Sequence, residues 1–346
     1  MSNPQSSPLT RRRFLQRVGV IGAAAMTSGI GPRVRSAGAA ESINLALDWY
    51  PNANHAGLFI ARERGFFERE GLEINIYTPS DPTTVLQTVG AGQDDFGISY
   101  QTDVLLARAQ GVPVVSIAAL VQHPLLGVMT LKERNITRPR DLAGKTVGYP
   151  GIPSQEAFLA TMLEQDGSGL DNVRLINVDF NLVPSVISGR VDAVMGAYRT
   201  HETILAEREG YEVSFMPVEE WGVPDYYELV LVTNEQFLRD RIEVARSLLR
   251  AISDGYAAAI ADPAAAIETL ADAYEGIDRE VETEGIDILI PLWQDGEVAF
   301  GVQAPERWDA FGAWMKERGL IPGDLDVSKA YAADVLTPLP ESTPIA

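Results

Sequence analysis

The sequence of 346 residues contains no cysteine, three histidines and four lysines. Without cysteine, the chain can form no disulfide bond, thiolate nucleophile or cysteine-ligated metal site. It also lacks the His-Glu-x-x-His motif of zinc peptidases, the Gly-x-Ser-x-Gly elbow of hydrolases and the phosphate-binding loop of nucleotidases. These absences argue against an enzyme, and we expect no catalytic residue, no cofactor and no bound metal.

A basic segment followed by a weakly apolar one opens the chain. Thr10–Leu15 reads Thr-Arg-Arg-Arg-Phe-Leu, Val18–Ile30 is rich in glycine and alanine, and Ala37–Ala39 is a small-x-small cleavage site. The apolar run of about thirteen residues is shorter than the roughly 20 that a membrane span needs. This pattern predicts a signal peptide over residues 1–40, and the paired arginines indicate the twin-arginine route to the periplasm. No lipobox cysteine follows, so we expect no lipid anchor.

Acidic residues outnumber basic ones, with 48 Asp+Glu against 28 Lys+Arg and a formal net charge of −20. Removal of the six arginines of the predicted leader would leave 22 basic residues and a net charge of −26. Such a surface repels nucleic acids and anionic lipids. We therefore expect no nucleic-acid partner and no membrane insertion after signal cleavage, and we expect a monomer.

The remaining chain of about 306 residues is too long for one ordinary core. Short apolar runs alternate with amphipathic segments from Ile43 to Ala197, a pattern typical of βαβ units around a largely parallel sheet. Beyond Leu229 the chain is predicted to be mainly helical. We predict an α/β protein with two lobes, lobe I over 41–128 plus 230–346 and lobe II over 129–229.

Aromatic side chains follow several of the predicted strands. Trp49 comes after the first strand, and Tyr100, Tyr149 and Tyr198 come after three later ones. The carboxyl ends of strands in open α/β sheets are where ligands bind, and aromatic rings stack on flat molecules. A ligand cleft between the lobes is the interpretation we favour, although packing in the core or between the lobes also accounts for each ring.

Two segments carry a resemblance to a known family. Leu47–Leu58 (LDWYPNANHAGL) and Arg64–Glu73 (RGFFEREGLE) resemble the thiamine-precursor-binding proteins of bacterial ABC importers, and the likeness continues to Pro224–Leu229. It covers nearly the whole chain after the leader. The resemblance implies a type II periplasmic binding protein that captures formylaminopyrimidine or hydroxymethylpyrimidine by hinged lobe closure and delivers it to a membrane permease and its ATPase. The lobe crossings are expected near Val128–Lys132 and Tyr227–Thr233.

In that family a glutamate in the return segment between the lobes pairs with the pyrimidine. Glu228 matches this position, although the register could shift the role to Asp225. A carboxylate accepts hydrogen bonds from an exocyclic amine and from a protonated ring nitrogen. Glu228 could instead form an interlobe salt bridge, and Asn52, His55 and Ser154 could merely cap helices. The predicted ligand-binding residues are Asp48, Trp49, Asn52, His55, Tyr100, Tyr149, Ser154, Tyr198, Tyr227 and Glu228.

The predicted strand ends hold one cation, Arg199, which disfavours anionic ligands. Riboflavin, another flat heterocycle, or a sulfonate or nitrate remain alternative cargoes. Fungal hydroxymethylpyrimidine synthases share the family resemblance and depend on a lysine that binds pyridoxal phosphate in their N-terminal part. No lysine precedes Lys132 here, so a Schiff base in that region is excluded.

Overall fold

The computed structural model describes residues 40–294, 296 and 298–335, so the predicted leader lies outside the described residues apart from Ala40. Short runs rich in Val, Ile and Leu form the strands, in keeping with the preference of branched side chains for extended backbone. In chain order the strands are β1 (Glu41–Ala46), β2 (Leu72–Tyr77), β3 (Phe96–Ser99), β4 (Val114–Val121), β5 (Leu126–Leu131), β6 (Thr146–Tyr149), β7 (Arg174–Asn177), β8 (Ala193–Tyr198), β9 (Val213–Pro217) and β10 (Leu229–Asn234).

The strands form two mixed five-stranded sheets. The first sheet has the order β2-β1-β3-β10-β4, and the second has the order β7-β6-β8-β5-β9. Strands β1, β2 and β3 run parallel, as do β6, β7 and β8. By contrast, β10 is antiparallel to β3 and β4, and β5 is antiparallel to β8 and β9. Each sheet therefore receives one antiparallel strand that arrives from the other sheet.

The helices cover the sheets and dominate the C-terminal part, as the sequence predicts. Polar caps mark their starts: the Asp262 side chain accepts from Ala265 N before a helix that begins at Pro263, and Asp278 accepts from two amides of the next helix. The helices are α1 (Ala56–Glu63), α2 (Phe66–Arg69), α3 (Val85–Gly90), α4 (Gln101–Ala109), α5 (Pro153–Gln165), α6 (Leu182–Ile187), α7 (Glu202–Arg208), α8 (Glu235–Asp240), α9 (Ile242–Ala261), α10 (Pro263–Ala273), α11 (Arg279–Trp293) and α12 (Pro305–Glu317).

Close backbone contact joins α1 to α9. A Cβ atom on Gly255 would lie 2.1 Å from the carbonyl oxygen of Gly57, so only glycine fits there. This contact places the C-terminal helices against the helix that follows β1. Within the described residues, none of the helices combines the length and apolar character needed to traverse a bilayer.

Strand β4 (VVSIAALV) lies at the edge of the first sheet, so the backbone groups on its outer side have no partner strand in the sheet. All eight of its residues are nevertheless buried. The C-terminal segment covers this edge: Ser116 N donates to Ala330 O at 2.8 Å, and Ala332 N donates to Ser116 O at 2.8 Å. The end of the described chain therefore protects the first sheet from pairing with another strand.

The chain passes between the sheets twice. It leaves the first sheet after β4 through residues 122–125 and returns to it after β9 through residues 218–228. The crossing expected at Val128–Lys132 lies almost wholly within β5, and the one expected at Tyr227–Thr233 overlaps the end of the return and most of β10. The first sheet with its helices comprises residues near both ends of the described chain, and the second sheet comprises the middle.

Candidate functional site

A cavity lies between the two sheets, at the carboxyl ends of β1, β3 and β8. Its walls are formed by Asp48, Trp49, Asn52 and Tyr100 beside the first sheet and by Ile152, Gln155, Gly196, Tyr198 and Glu202 beside the second. The space between these walls is ≈ 300 Å³, of which a water molecule's centre can occupy only ≈ 10 Å³. Ligands of α/β proteins bind at strand ends of this kind, so this cavity is the candidate site.

A more open groove adjoins the cavity and shares Tyr100 and Ile152 with it. The groove lies beside α3 and α4 and contains one acidic side chain, Asp103. Because the inner cavity has three aromatic side chains, Trp49, Tyr100 and Tyr198, and the groove has Tyr100 alone, we assign the site to the inner cavity.

Asp48 organises the wall that follows β1. Its Oδ1 atom lies 3.0 Å from His55 Nε2, and its Oδ2 accepts a hydrogen bond from the Tyr100 hydroxyl at 3.1 Å. On the other side of the ring, His55 Nδ1 accepts from the Asn52 amide at 3.2 Å, which assigns the ring proton to Nε2. Burial, and secondarily the charge of Asp48, raises the pKa of Tyr100 well above its ordinary value, so the hydroxyl keeps its proton. Both carboxylate oxygens of Asp48 therefore form hydrogen bonds with other side chains of the protein.

Glu228 is fully buried behind Tyr198 and is not part of the cavity wall. Its Oε2 accepts from Leu125 N at 2.6 Å, Leu126 N at 3.3 Å and the Tyr226 hydroxyl at 3.0 Å. Its Oε1 accepts from the Tyr198 hydroxyl at 3.1 Å. Burial raises the pKa of Glu228 to about 7, although the hydrogen bonds oppose that rise. The carboxylate thus links both crossings to the Tyr198 ring.

Trp49 contacts the loop after β7 of the second sheet through Phe180, which is not among the predicted site residues. The ring of Phe180, in the loop after β7, lies 4.4 Å from that of Trp49 and 4.3 Å from that of Tyr50. Phe180 follows a strand, as the predicted aromatic residues do, so the same rule could have identified it. These three rings form an aromatic contact across the opening between the sheets.

Two other predicted residues, Tyr149 and Tyr227, lie outside the cavity wall, as does Asp225. Tyr149 is half-buried and packs against the main core at the end of β6. Tyr227 is buried beneath α12, where its hydroxyl accepts from Ala304 N at 2.7 Å. Asp225, the alternative to Glu228, pairs with His123 at 2.9 Å on the exposed return segment.

Ser154 bridges the sheets and does not cap α5 with its side chain. Its hydroxyl donates to Asp103 Oδ2 at 2.7 Å, which joins α5 to α4. Burial raises the pKa of Asp103 to about 6, and the bond from Ser154 partly offsets this rise. A buried hydrogen bond between Asp103 and Ser154 therefore connects a helix beside the first sheet to a helix beside the second.

His201 and Glu282 make a second bridge, between α7 and α11. His201 Nδ1 and Glu282 Oε1 lie 3.0 Å apart, which is close enough for an ion pair, but the angles between the two groups do not meet hydrogen-bond geometry. Burial is the largest influence on His201 and lowers its pKa, but the carboxylates Glu202, Glu282 and Asp278 together outweigh it and raise the pKa to about 9. His201 is therefore cationic at neutral pH and holds the two elements together by charge.

The cavity wall also contains four residues that the sequence analysis did not select. Ile152 and Gln155 come from the start of α5, Gly196 from β8, and Glu202 from the start of α7. Glu202 Oε2 accepts from Tyr198 N at 2.8 Å, and burial raises its pKa. No local pattern marks Gln155 or Glu202 among many similar residues.

The charge of the wall restricts the ligand. It holds the carboxyl groups of Asp48 and Glu202 but contains neither lysine nor arginine. Arg199, the cation expected nearby, donates to Pro124 O at 3.0 Å and lies 3.5 Å from Glu219. Over the described residues, no three His, Cys, Asp or Glu side chains are grouped to hold a metal ion. The site suits an uncharged or weakly basic molecule.

Comparison with known proteins gives the family. The family profile described as NMT1/THI5 like matches residues 52–266. The chain is 40% identical over 299 residues to the formylaminopyrimidine-binding protein of Halalkalibacterium halodurans, covering 85% of this chain and 91% of the relative. This chain belongs to the NMT1/THI5-like family. Another family relative, 26% identical over 88% of this chain and 96% of its own, is a 4-amino-5-hydroxymethyl-2-methylpyrimidine phosphate synthase from Legionella pneumophila.

Solved structures give the fold of the family member. The alkanesulfonate-binding protein SsuA from Xanthomonas axonopodis pv. citri, bound to MOPS, aligns with a TM-score of 0.69 and 15% identity. The alignment covers 84% of this chain and 98% of that protein. The predicted fold, that of periplasmic binding proteins with two α/β halves, is confirmed. At this identity the likeness concerns the fold alone.

The buried carboxyl group of Glu228 makes a prediction about pH. In the folded protein the Glu228 carboxyl group has a pKa of about 7, above its ordinary 4.5. The proton on this group therefore stabilises the folded state fully below pH 4.5, and that contribution is lost as the pH rises through 7. A Glu228→Gln variant lacks this titration. We expect the unfolding free energy of wild type, relative to this variant, to fall by roughly 2–4 kcal/mol between pH 4.5 and 8.

Urea unfolding at a series of pH values measures this difference. Glu207→Gln, an exposed change on α7, is the matched control and should run parallel to wild type. Parallel curves for wild type and Glu228→Gln would contradict the assignment of a buried, proton-binding carboxylate.

Proposed function

We propose that this protein is the solute-binding component of a bacterial ABC importer and captures an aminopyrimidine precursor of thiamine, formylaminopyrimidine or hydroxymethylpyrimidine. The observation that carries the proposal is the cavity between the sheets, which combines the rings of Trp49, Tyr100 and Tyr198 with two carboxyl groups and no cation. The name of the relative from Halalkalibacterium halodurans supports the same ligand.

Each part of an aminopyrimidine has a counterpart in the cavity. The flat ring suits aromatic walls, since stacking adds about 0.5–1.5 kcal/mol to simple burial. A protonated ring nitrogen suits a carboxylate acceptor such as Glu202, and the amine suits any hydrogen-bond acceptor of the wall. Glu228, which the family resemblance suggests as the ligand's partner, acts in this proposal through Tyr198, whose hydroxyl it accepts from at 3.1 Å.

Capture without chemistry is the proposed role, although some relatives are named as synthases. A Schiff base with pyridoxal phosphate needs a lysine, and the cavity wall holds none. The structural likeness to sulfonate-binding proteins makes an anion the second candidate. The acidic wall opposes it, because an anion would face Asp48 and Glu202 without a compensating cation.

Entry of the ligand requires the two sheets to separate. The free space at the centre of the cavity, ≈ 10 Å³, is far smaller than a pyrimidine ring. Rotation about the two crossings would open the cavity if the bridges of Ser154 to Asp103 and of Trp49 to Phe180 were broken. A ligand that contacts both walls would then favour the closed state by its higher affinity for that state. The closed form would dock on a membrane permease driven by a separate ATPase.

Export to the periplasm by the twin-arginine route completes the proposal. It is supported by the sequence Thr-Arg-Arg-Arg-Phe-Leu at Thr10–Leu15, outside the described residues. A free monomer in the periplasm is the form that we propose to meet the ligand.

Ligand identity is tested by thermal unfolding of the mature protein with hydroxymethylpyrimidine, formylaminopyrimidine, riboflavin, an alkanesulfonate and nitrate. A true ligand at a hundredfold excess over its Kd should stabilise the protein by about 2.7 kcal/mol. Trp49→Ala should weaken aminopyrimidine binding by about 1–3 kcal/mol, the usual loss of one stacking ring. Trp221→Ala, outside the cavity wall, is the control. Stabilisation by an anion and by no heterocycle would reject the proposed ligand.

Closure is tested by a cross-link, because the chain has no cysteine of its own. Asp103→Cys combined with Ser154→Cys places two thiols where the wild-type oxygen atoms lie 2.7 Å apart. We expect an aminopyrimidine to accelerate disulfide formation, and the oxidised protein to exclude ligand added afterwards. Each single-cysteine variant is a control. An unchanged oxidation rate together with free ligand entry into the oxidised protein would refute closure.

The export route is tested in cells with the full-length protein. Replacing both Arg11 and Arg12 with lysine preserves charge but removes the paired arginines that the twin-arginine route recognises. We expect this variant to remain in the cytoplasm, whereas Arg33→Lys should be exported normally. Equal periplasmic amounts of all the proteins would point to another route.

A further inference from the structure

Gln155 presents an unsatisfied polar group to the cavity. It lies in the first turn of α5, lines the cavity and is only 3% exposed. Within the described part of the chain, its Oε1 atom has no hydrogen-bond partner. Burial of an acceptor without a partner is unfavourable, so such a group in a binding cavity is expected to have a partner when the ligand is bound.

Gly196 makes room for this carboxamide. The residue lies in β8 with a φ of +103°, and it also lines the cavity. A Cβ atom at Gly196 would lie 2.3 Å from Gln155 Oε1 and 2.9 Å from its Cδ. The side chain of Gln155 therefore occupies the space that any other residue at position 196 would fill.

None of the neighbouring donors forms a hydrogen bond to Gln155 Oε1. The hydroxyl of Tyr100 donates to Asp48, and that of Tyr198 donates to Glu228. The side-chain amide of Asn52 donates to Tyr50 O at 3.2 Å. Asp48 and Glu202 contribute carboxyl groups to the wall, and the indole N–H of Trp49, a further donor, makes no hydrogen bond to Gln155 Oε1. Gln155 Oε1 therefore has no partner in the wall, and a donor group on the ligand would supply the missing hydrogen bond.

We infer that the Gln155 carboxamide recognises the amino edge of a flat heterocycle, accepting from its exocyclic amine and donating to the adjacent ring nitrogen. A carboxamide matches such an edge with two hydrogen bonds, as glutamine does on adenine in nucleic acids. Gly196 keeps the carboxamide in position. This inference rests on the proposed function and extends it: Gln155 is a specificity-determining residue that favours aminopyrimidines over pyrimidines without the amine.

A double-mutant cycle tests this role by calorimetry. The two ligands are 4-amino-5-hydroxymethyl-2-methylpyrimidine and the same molecule without its 4-amino group. The two proteins are wild type and Gln155→Met, which keeps the length of the side chain but removes both hydrogen-bonding groups. We expect the amine to increase affinity by about tenfold or more in wild type and by less than about threefold in the variant.

Gln236→Met, the same change on the exposed face of α8, should retain the wild-type ratio. Gln155→Asn withdraws the carboxamide by one methylene group and should also lose the preference for the amine, which guards against a packing defect specific to methionine. Circular dichroism and thermal unfolding verify that each variant is folded.

The outcomes separate this inference from the proposed function. If neither pyrimidine binds wild type, the proposed function fails and the inference fails with it. If the aminopyrimidine binds and the amine contributes equally in wild type and in Gln155→Met, the proposed function stands and the role of Gln155 is refuted.

Discussion

A single buried carboxylate ties together the segments that join the two sheets. Glu228 is 1% exposed, and burial of such a group is costly unless its lone pairs are hydrogen-bonded. Its donors are the amides of Leu125 and Leu126 at the first crossing, Tyr226 on the return segment, and Tyr198 at the end of β8. The geometry of the crossings and the position of one cavity wall are thus held by the same hydrogen bonds.

Both tyrosine hydroxyls of the cavity wall donate to carboxylates of the protein itself. Tyr100 and Tyr198 keep their protons, since burial raises the pKa of both hydroxyls well above the ordinary value, but they point them at Asp48 and Glu228. The wall also offers a ligand aromatic surface, the indole N–H of Trp49, the carboxyl of Glu202 and the carboxamide of Gln155. The fold is shared with a sulfonate-binding protein, but a shared fold does not fix the ligand, so the proposed ligand rests on the residues of the wall.

Local sequence patterns predicted much of the site for a definite reason. In an open α/β sheet the residue after a strand lies at the carboxyl edge, so Trp49, Tyr100 and Tyr198 could be expected near one another, and the structure brings them into one cavity. The same rule also selected Tyr149, which packs against the core, and it overlooked Phe180. Strand β5 was missed as a strand, because Val128–Lys132, which overlaps most of it, was interpreted as a crossing.

The sequence by itself determined the family, the alternation of strands and helices, the acidic composition and the residues at strand ends, because these depend on composition and on contacts between near neighbours. Only the tertiary structure decided how each polar group is used. Glu202 and Glu228 are both buried glutamates near strand ends, yet one lines the cavity and the other lies behind it. Their difference arises from partners far away in the chain, such as Leu125 for Glu228 at 2.6 Å, and such long-range pairing leaves no signal in the local pattern.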